Sequence, residues 1–194
     1  MRAAPLREQE DRAALIIAAS LNFTERDSPD DALFVIGGLN GFRSVQSWVT
    51  VLERHSRRRL AHAYSWHDVR FAKRDIVASA QGKRVTLIGH SLGGGHAELL
   101  SQQLPAGTIH TLITVAPYGP RRIDHDLTRR NVGRWLNIIS APARWGWRDL
   151  ARNIGAPLLL NWREQGFIAS ASENYRSEFP HHDFHKLMTA RSAE

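Results

Sequence analysis

The chain has 194 residues, no cysteine and a formal net charge of +7 at pH 7. That length suits one domain with a real core, and the lack of thiols excludes disulfides and thiolate metal sites. No apolar run approaches the roughly 20 residues of a membrane-spanning helix, and the mixed-charge start Met1–Arg12 has no apolar leader segment, so a cytoplasmic setting is expected, with signal-free export left open.

Residues 6–22 read as a helix, with Leu6, Ala13, Ala14, Ile17, Ala18 and Leu21 at roughly helical spacing. Thr24–Asp31 is a polar loop. Ala32–Ile36 is a short buried strand running into the turn Gly37-Gly38-Leu39-Asn40-Gly41. Ser44 or Ser47 opens a helix that ends near His55–Arg59. Leu60–Trp66 reads as a strand, and Asp68 starts a helix closed by Gly82. Arg84–Ile88 is another strand, followed by Gly89-His90-Ser91-Leu92-Gly93 and a helical stretch up to Leu104. Thr108–Ala116 is a strand, 117–133 a polar loop, and Arg134–Ser140 a further strand. A Trp-rich connection with Trp145 and Trp147 follows, then a short helix at Asp149–Asn153 and a terminal helix at Phe184–Ala190.

Strands alternating with helices predict an α/β fold: a mostly parallel central sheet with helices on both faces. We read the chain as a single domain over 1–194. A helix and loop occupy 1–31, the core occupies 32–190, and no stretch is long enough for a large cap domain. Sites in such sheets form at the carboxyl ends of strands. Both glycine turns lie at such ends.

Gly-x-Ser-x-Gly alone is a weak pattern, because glycine and serine are common in turns. Here a strand precedes it and a helix follows, the context in which the serine hydroxyl stands clear of the sheet at a helix N-terminus. The competing reading is a tight turn with an inert serine. A phosphate loop is disfavoured, since the spacing is wrong and no lysine is near. A serine nucleophile needs a base, an orienting carboxylate and backbone donors for the oxyanion. The order along such a chain is serine, acid, histidine. His181-His182-Asp183-Phe184-His185 lies last. We favour His182 as base, with Asp183 capping the terminal helix; His181 and His185 remain alternatives. The acid is less well marked, because Ala141-Pro142-Ala143-Arg144 follows Ser140. Asp149 is the choice, with Asp124, Asp126 and Glu164 also available. The oxyanion donors are the backbone N–H groups of Leu92 and of Leu39, with Asn40 as alternative. No cofactor and no metal are expected, since the histidine cluster has no second ligand group beside it.

Gly89-His90-Ser91-Leu92-Gly93-Gly94 is similar to the elbow of α/β-hydrolase lipases and esterases, including the class 3 lipase-like group. Gly37–Gly41 resembles the oxyanion loop of that superfamily, with Gly37 where many members carry histidine. As a pattern of elements, the resemblance covers roughly residues 32–190. It implies Ser91 as nucleophile, a late histidine and hydrolysis of an ester or related acyl bond on a small-molecule or lipid substrate. The chain departs from the family pattern just after Ser140, where no carboxylate follows. A shallow site without a lid is expected, with Trp145 and Trp147 as lining or as core. The basic residues are mostly scattered arginines, densest at Arg57–Arg59. This disfavours nucleic acid and leaves an anionic membrane surface as a partner. The rival class is a hydrolase-fold binding module with a weak or inactive site and a basic face for an anionic partner. A phospholipid-directed lipase is a further variant.

Overall fold

A computed structural model of the chain describes residues 31–38, 45–47, 49–50, 60–141, 162–177, 179, 184–187 and 191–192. The expected helix over 6–22, the short helix at Asp149–Asn153, and Trp145 and Trp147 lie outside the described residues. No helix among the described residues is long and apolar enough to cross a membrane.

The strands are β1 (Asp31–Gly37), β2 (Leu60–Ser65), β3 (Arg84–His90), β4 (Ile109–Val115), β5 (Tyr118–Pro120), β6 (Val132–Ser140), β7 (Trp162–Glu164), β8 (Glu173–Ser177) and β9 (Arg191–Ser192). The helices are α1 (Val69–Ala80), α2 (Leu92–Gln103), α3 (His125–Asn131) and α4 (Phe184–Leu187). Residues 45–47 and 49–50 are also helical. The main sheet has the order β2-β1-β3-β4-β6-β8-β9. Its first six strands are parallel, and β9 runs antiparallel to β8. The expected α/β class and mostly parallel sheet are therefore present. A separate antiparallel ribbon joins β5 to β7.

Period-two alternation explains the layers. In β1, Leu33 and Val35 point to one face, where they meet Val45, Val49, Phe184 and Leu187. Ala32, Phe34 and Ile36 point to the other, where they meet Ala72 and Ile76 of α1 and Ala97 and Leu100 of α2. A strand buried on both faces reads as continuous apolar sequence, as Ala32–Ile36 does.

Polar residues also enter this interior, in a fully bonded set. Trp135 Nε1 donates to Thr114 Oγ1 at 3.1 Å, and that hydroxyl donates to Asn137 Oδ1 at 3.0 Å. Asn137 Nδ2 donates to the Gly166 carbonyl at 2.9 Å and to Asn174 Oδ1 at 2.8 Å. Asn174 in turn exchanges hydrogen bonds with the backbone of Ile168. These bonds fix the segment after β7 to the sheet.

The stretch 117–133, expected to be a loop, instead contains β5 and α3. Asp124 caps α3 by accepting from the Leu127 N–H at 2.8 Å, and Arg129 and Arg130 lie in its last turn. Both features favour a helix. Within this seven-residue helix Leu127 is the sole aliphatic side chain, so apolar periodicity gave no signal.

Asn137 is fully buried, and its removal leaves the Thr114 hydroxyl and Asn174 short of a partner. Asn137→Ala should lower unfolding free energy by about 1–3 kcal/mol per stranded group. Urea titration at constant m-value measures this, and a loss under about 0.5 kcal/mol contradicts the network.

Candidate active site

The strand order reverses at β1. From β1 the chain passes outward to β2, then returns to place β3 on the other side of β1. Such a switch point opens a crevice at the carboxyl ends of the two strands. The parallel register pairs Ile36 with Gly89, so the ends of β1 and β3 emerge side by side.

Ser91 occupies the turn between β3 and α2, with φ 58° and ψ −126°. This is left-handed backbone that L-residues other than Asn and Asp seldom adopt, and such strain costs about 1–3 kcal/mol. Three main-chain hydrogen bonds hold it. The Ser91 N–H donates to the Val115 carbonyl at 3.0 Å, and its carbonyl accepts from Gly94 N at 2.8 Å and Tyr118 N at 2.9 Å. The turn lies at the positive end of a 12-residue helix.

Gly93 is required by close approach. A Cβ there would lie 2.2 Å from the Ile36 carbonyl oxygen. The first turn of α2 thus packs directly on the backbone of β1. Gly38 approaches from the other side: a Cβ at that position would lie 2.6 Å from Ser91 Cβ and 2.9 Å from the Leu92 nitrogen. The backbone just after β1 is therefore close to the serine and to the amide that follows it.

Ser91 and Leu92 are both described and sit as the sequence suggests, at the head of α2. Leu39, Asn40, His181, His182 and Asp149 lie outside the described residues. His185 falls in α4, and its side chain is outside them too. Among the alternative acids, Asp124 caps α3 and Asp126 accepts from Ser170 Oγ. The Asp124 carbonyl accepts from Gln102, a residue about 16 Å along α2 from Ser91. Glu164 lies on β7 opposite Tyr118, its carboxylate 3.5 Å from the Tyr118 hydroxyl.

The outer side of α2 carries a ring stack. His96 lies between Trp66, at 5.7 Å between centroids, and Trp162, at 4.8 Å. Burial pushes the His96 pKa down, and the charge of nearby His67 adds to this. The shift favours the uncharged imidazole between the two indoles.

A strained serine thus sits in a strand–turn–helix at the switch point of a parallel sheet. The sequence profile of the alpha/beta hydrolase family matches residues 16–191. The chain belongs to the alpha/beta hydrolase family. No curated protein and no solved structure matches it. Within the hydrolase fold, β3 and α2 carry the elbow. The β5–β7 ribbon flanks it, an element whose short polar strands gave no sequence signal.

In this hydrolase fold, Gly93→Ala must push α2 away from β1. We expect a loss of about 1–3 kcal/mol or more, read by thermal or urea unfolding. Wild-type stability in that variant would contradict the close approach.

Proposed function

We propose that this family member is a serine hydrolase that cleaves carboxylic esters, an esterase or lipase. The carrying observation is the backbone of Ser91, held at φ 58° by three main-chain bonds. Strain of this kind persists where the surrounding structure over-determines it, and in this turn it aims a hydroxyl at the crevice.

In this reading Ser91 attacks the acyl carbon while His182 takes its proton. Asp149 orients the imidazole. The N–H groups of Leu92 and Leu39 stabilise the tetrahedral oxyanion. The leaving alcohol takes the proton from His182, and water then cleaves the acyl-enzyme with His182 again as base. No cofactor or metal takes part. Substrates are small-molecule or lipid esters, and kinship is to lipases of the class 3-like group. The +7 charge supports attraction to an anionic membrane surface. The same charge favours a second reading, a binding module with a weak site. Lack of covalent labelling together with salt-sensitive binding to acidic vesicles would select it.

A fluorophosphonate probe on the full chain, mapped by mass spectrometry, should give one adduct on Ser91. Ser91→Ala should abolish both the adduct and p-nitrophenyl ester turnover, and unchanged turnover in that variant sinks the proposal. Asp149→Asn should lower kcat by about 10⁴ if it orients the base, while Asp124→Asn should leave kcat near wild type. The reverse pattern would move the acid to Asp124.

A further inference from the structure

Helix α2 carries a buried carboxylate that the hydrolytic reading leaves unused. Glu98 lies two turns beyond Ser91 and has no exposed surface. A lone carboxylate at that depth is strongly unfavourable, and Glu98 is held from two sides. His125 Nδ1 of α3 lies 3.1 Å from its Oε2. The Gln165 side-chain amide packs on the same carboxylate; in the orientation that puts its nitrogen toward Glu98, it donates to Oε1 at 3.0 Å and to Oε2 at 3.3 Å. Burial pushes the Glu98 carboxyl above its ordinary range, and the His125 contact pulls it part of the way back. The His125 side chain is 31% exposed, which gives the cluster an edge on water.

Gln165 links this cluster to the elbow. Its backbone N–H donates to the Pro117 carbonyl at 2.8 Å, and the next residue, Tyr118, donates to the Ser91 carbonyl at 2.9 Å. The contacts run from Glu98 through Gln165 and Pro117–Tyr118 to Ser91.

The other polar groups around the cluster have their own partners. On α3, Asp124 caps the helix, Asp126 accepts from Ser170, and Arg129 reaches the Val132 and Gly133 carbonyls. From the ribbon, Glu164 faces the Tyr118 hydroxyl. From β6, the Trp135 ring lies 5.8 Å from that of His125. On α2 itself, Gln102 bonds the Asp124 carbonyl and the Thr128 hydroxyl. Among the described residues, His125 is the titratable side chain bonded to Glu98.

We infer that the Glu98–His125 pair is a proton-controlled latch that holds the β5–β7 ribbon, and through it the Ser91 carbonyl, against α2. Its bearing on reactivity rests on the reading of Ser91 as nucleophile. Glu98 is then a positioning residue. With the proton on its carboxyl, Glu98 is neutral and no net charge is buried. As pH rises, that proton passes to water and a net negative charge is left inside. The carboxylate then gains by reaching water, and in the latch Gln165 and the ribbon part from α2 to admit it. The sign follows from linkage. A carboxyl whose pKa is raised by folding contributes stability that is full below its unfolded pKa and is lost as pH rises through its folded pKa. The latch is closed in acid and loosens toward alkaline pH.

Native-state hydrogen exchange on the full chain, between about pH 5 and 9, reads the latch directly. After correction for intrinsic rates, protection of the Gln165 and Tyr118 amides should fall with rising pH, by up to about tenfold per unit for a one-proton opening. Leu112 and Ile113 in central β4 should hold their protection. Glu98→Gln keeps the shape and the bond to Gln165 but cannot ionise, so its profile should be flat. The ratio of its fluorophosphonate labelling rate to wild type should rise with pH. Flat protection in the wild type, or the same slope in Glu98→Gln, overturns the latch, and the wild-type measurement stands even if the variant fails to fold. Ser91→Ala should lose labelling yet keep the wild-type exchange profile. Failure of the nucleophile reading is therefore visible separately from failure of the latch.

Discussion

The structure depends on one constraint: the backbone of Ser91 must stay in a conformation that it would leave if free. Strain of about 1–3 kcal/mol is set against three main-chain hydrogen bonds, each worth about 0.5–1.5 kcal/mol net. Together the bonds contribute about 1.5–4.5 kcal/mol, the same order as the strain they offset. Their partners come from three places: Val115 at the end of β4, Gly94 within α2, and Tyr118 at the start of the ribbon. Each partner is itself fixed by a further element. Ala116, next to Val115, has φ 44° and donates to the Ile138 carbonyl at 2.7 Å. The neighbouring parallel strands β3, β4 and β6 thus share the strain of one turn.

The sheet is apolar on both faces yet holds the polar residues Thr114 and Asn137 at its carboxyl half. The α2 packing needs Phe34, Leu87 and Leu112 buried on its side. The segment after β7 is mostly exposed, with Gln165 and Ile168 turned inward. Asn137 and Asn174 bond the Gly166 carbonyl and the Ile168 backbone, so buried side-chain amides tie this loop to the sheet. That anchored loop begins with Gln165, the residue that reaches back to Pro117 and Glu98.

Much of this was legible in the sequence where burial is two-sided. Ala32–Ile36, Arg84–Ile88, Thr108–Ala116 and Arg134–Ser140 announce themselves as apolar runs between turn residues, and Gly89–Gly93 announces the strand–turn–helix. Boundaries moved by one or two residues, since strand ends pair beyond the apolar run, as His90 does with Val115. What stayed hidden is local and polar. The β5 strand is Tyr-Gly-Pro, where the proline lacks a ladder donor, and β8 is Glu-Asn-Tyr-Arg-Ser, with no alternation. Glu98 read as an ordinary helix residue. Its burial follows from α3 and Gln165, which come from distant parts of the chain, so the local pattern did not reveal it.

The composition of α2 makes sense only from tertiary contact. Its first turns are Leu-Gly-Gly-Gly, and each glycine costs roughly 1 kcal/mol of helix propensity relative to alanine. An isolated helix with that start is a poor one. The cost is met by proximity: a Cβ at position 95 would lie 2.1 Å from the Tyr118 carbonyl oxygen, so the ribbon rests on bare helix backbone. Glu98 lies one turn further on, three residues from Gly95, and its carboxylate meets the Gln165 side chain. One side of α2 therefore changes from touching backbone at the serine end to a hydrogen-bonded carboxylate below it. Steric fit fixes how near the ribbon can come and is indifferent to pH; in the latch we infer, the carboxylate fixes how firmly it stays. A helix built in this way holds Ser91 in place by geometry, and the latch would expose the strength of that hold to the proton.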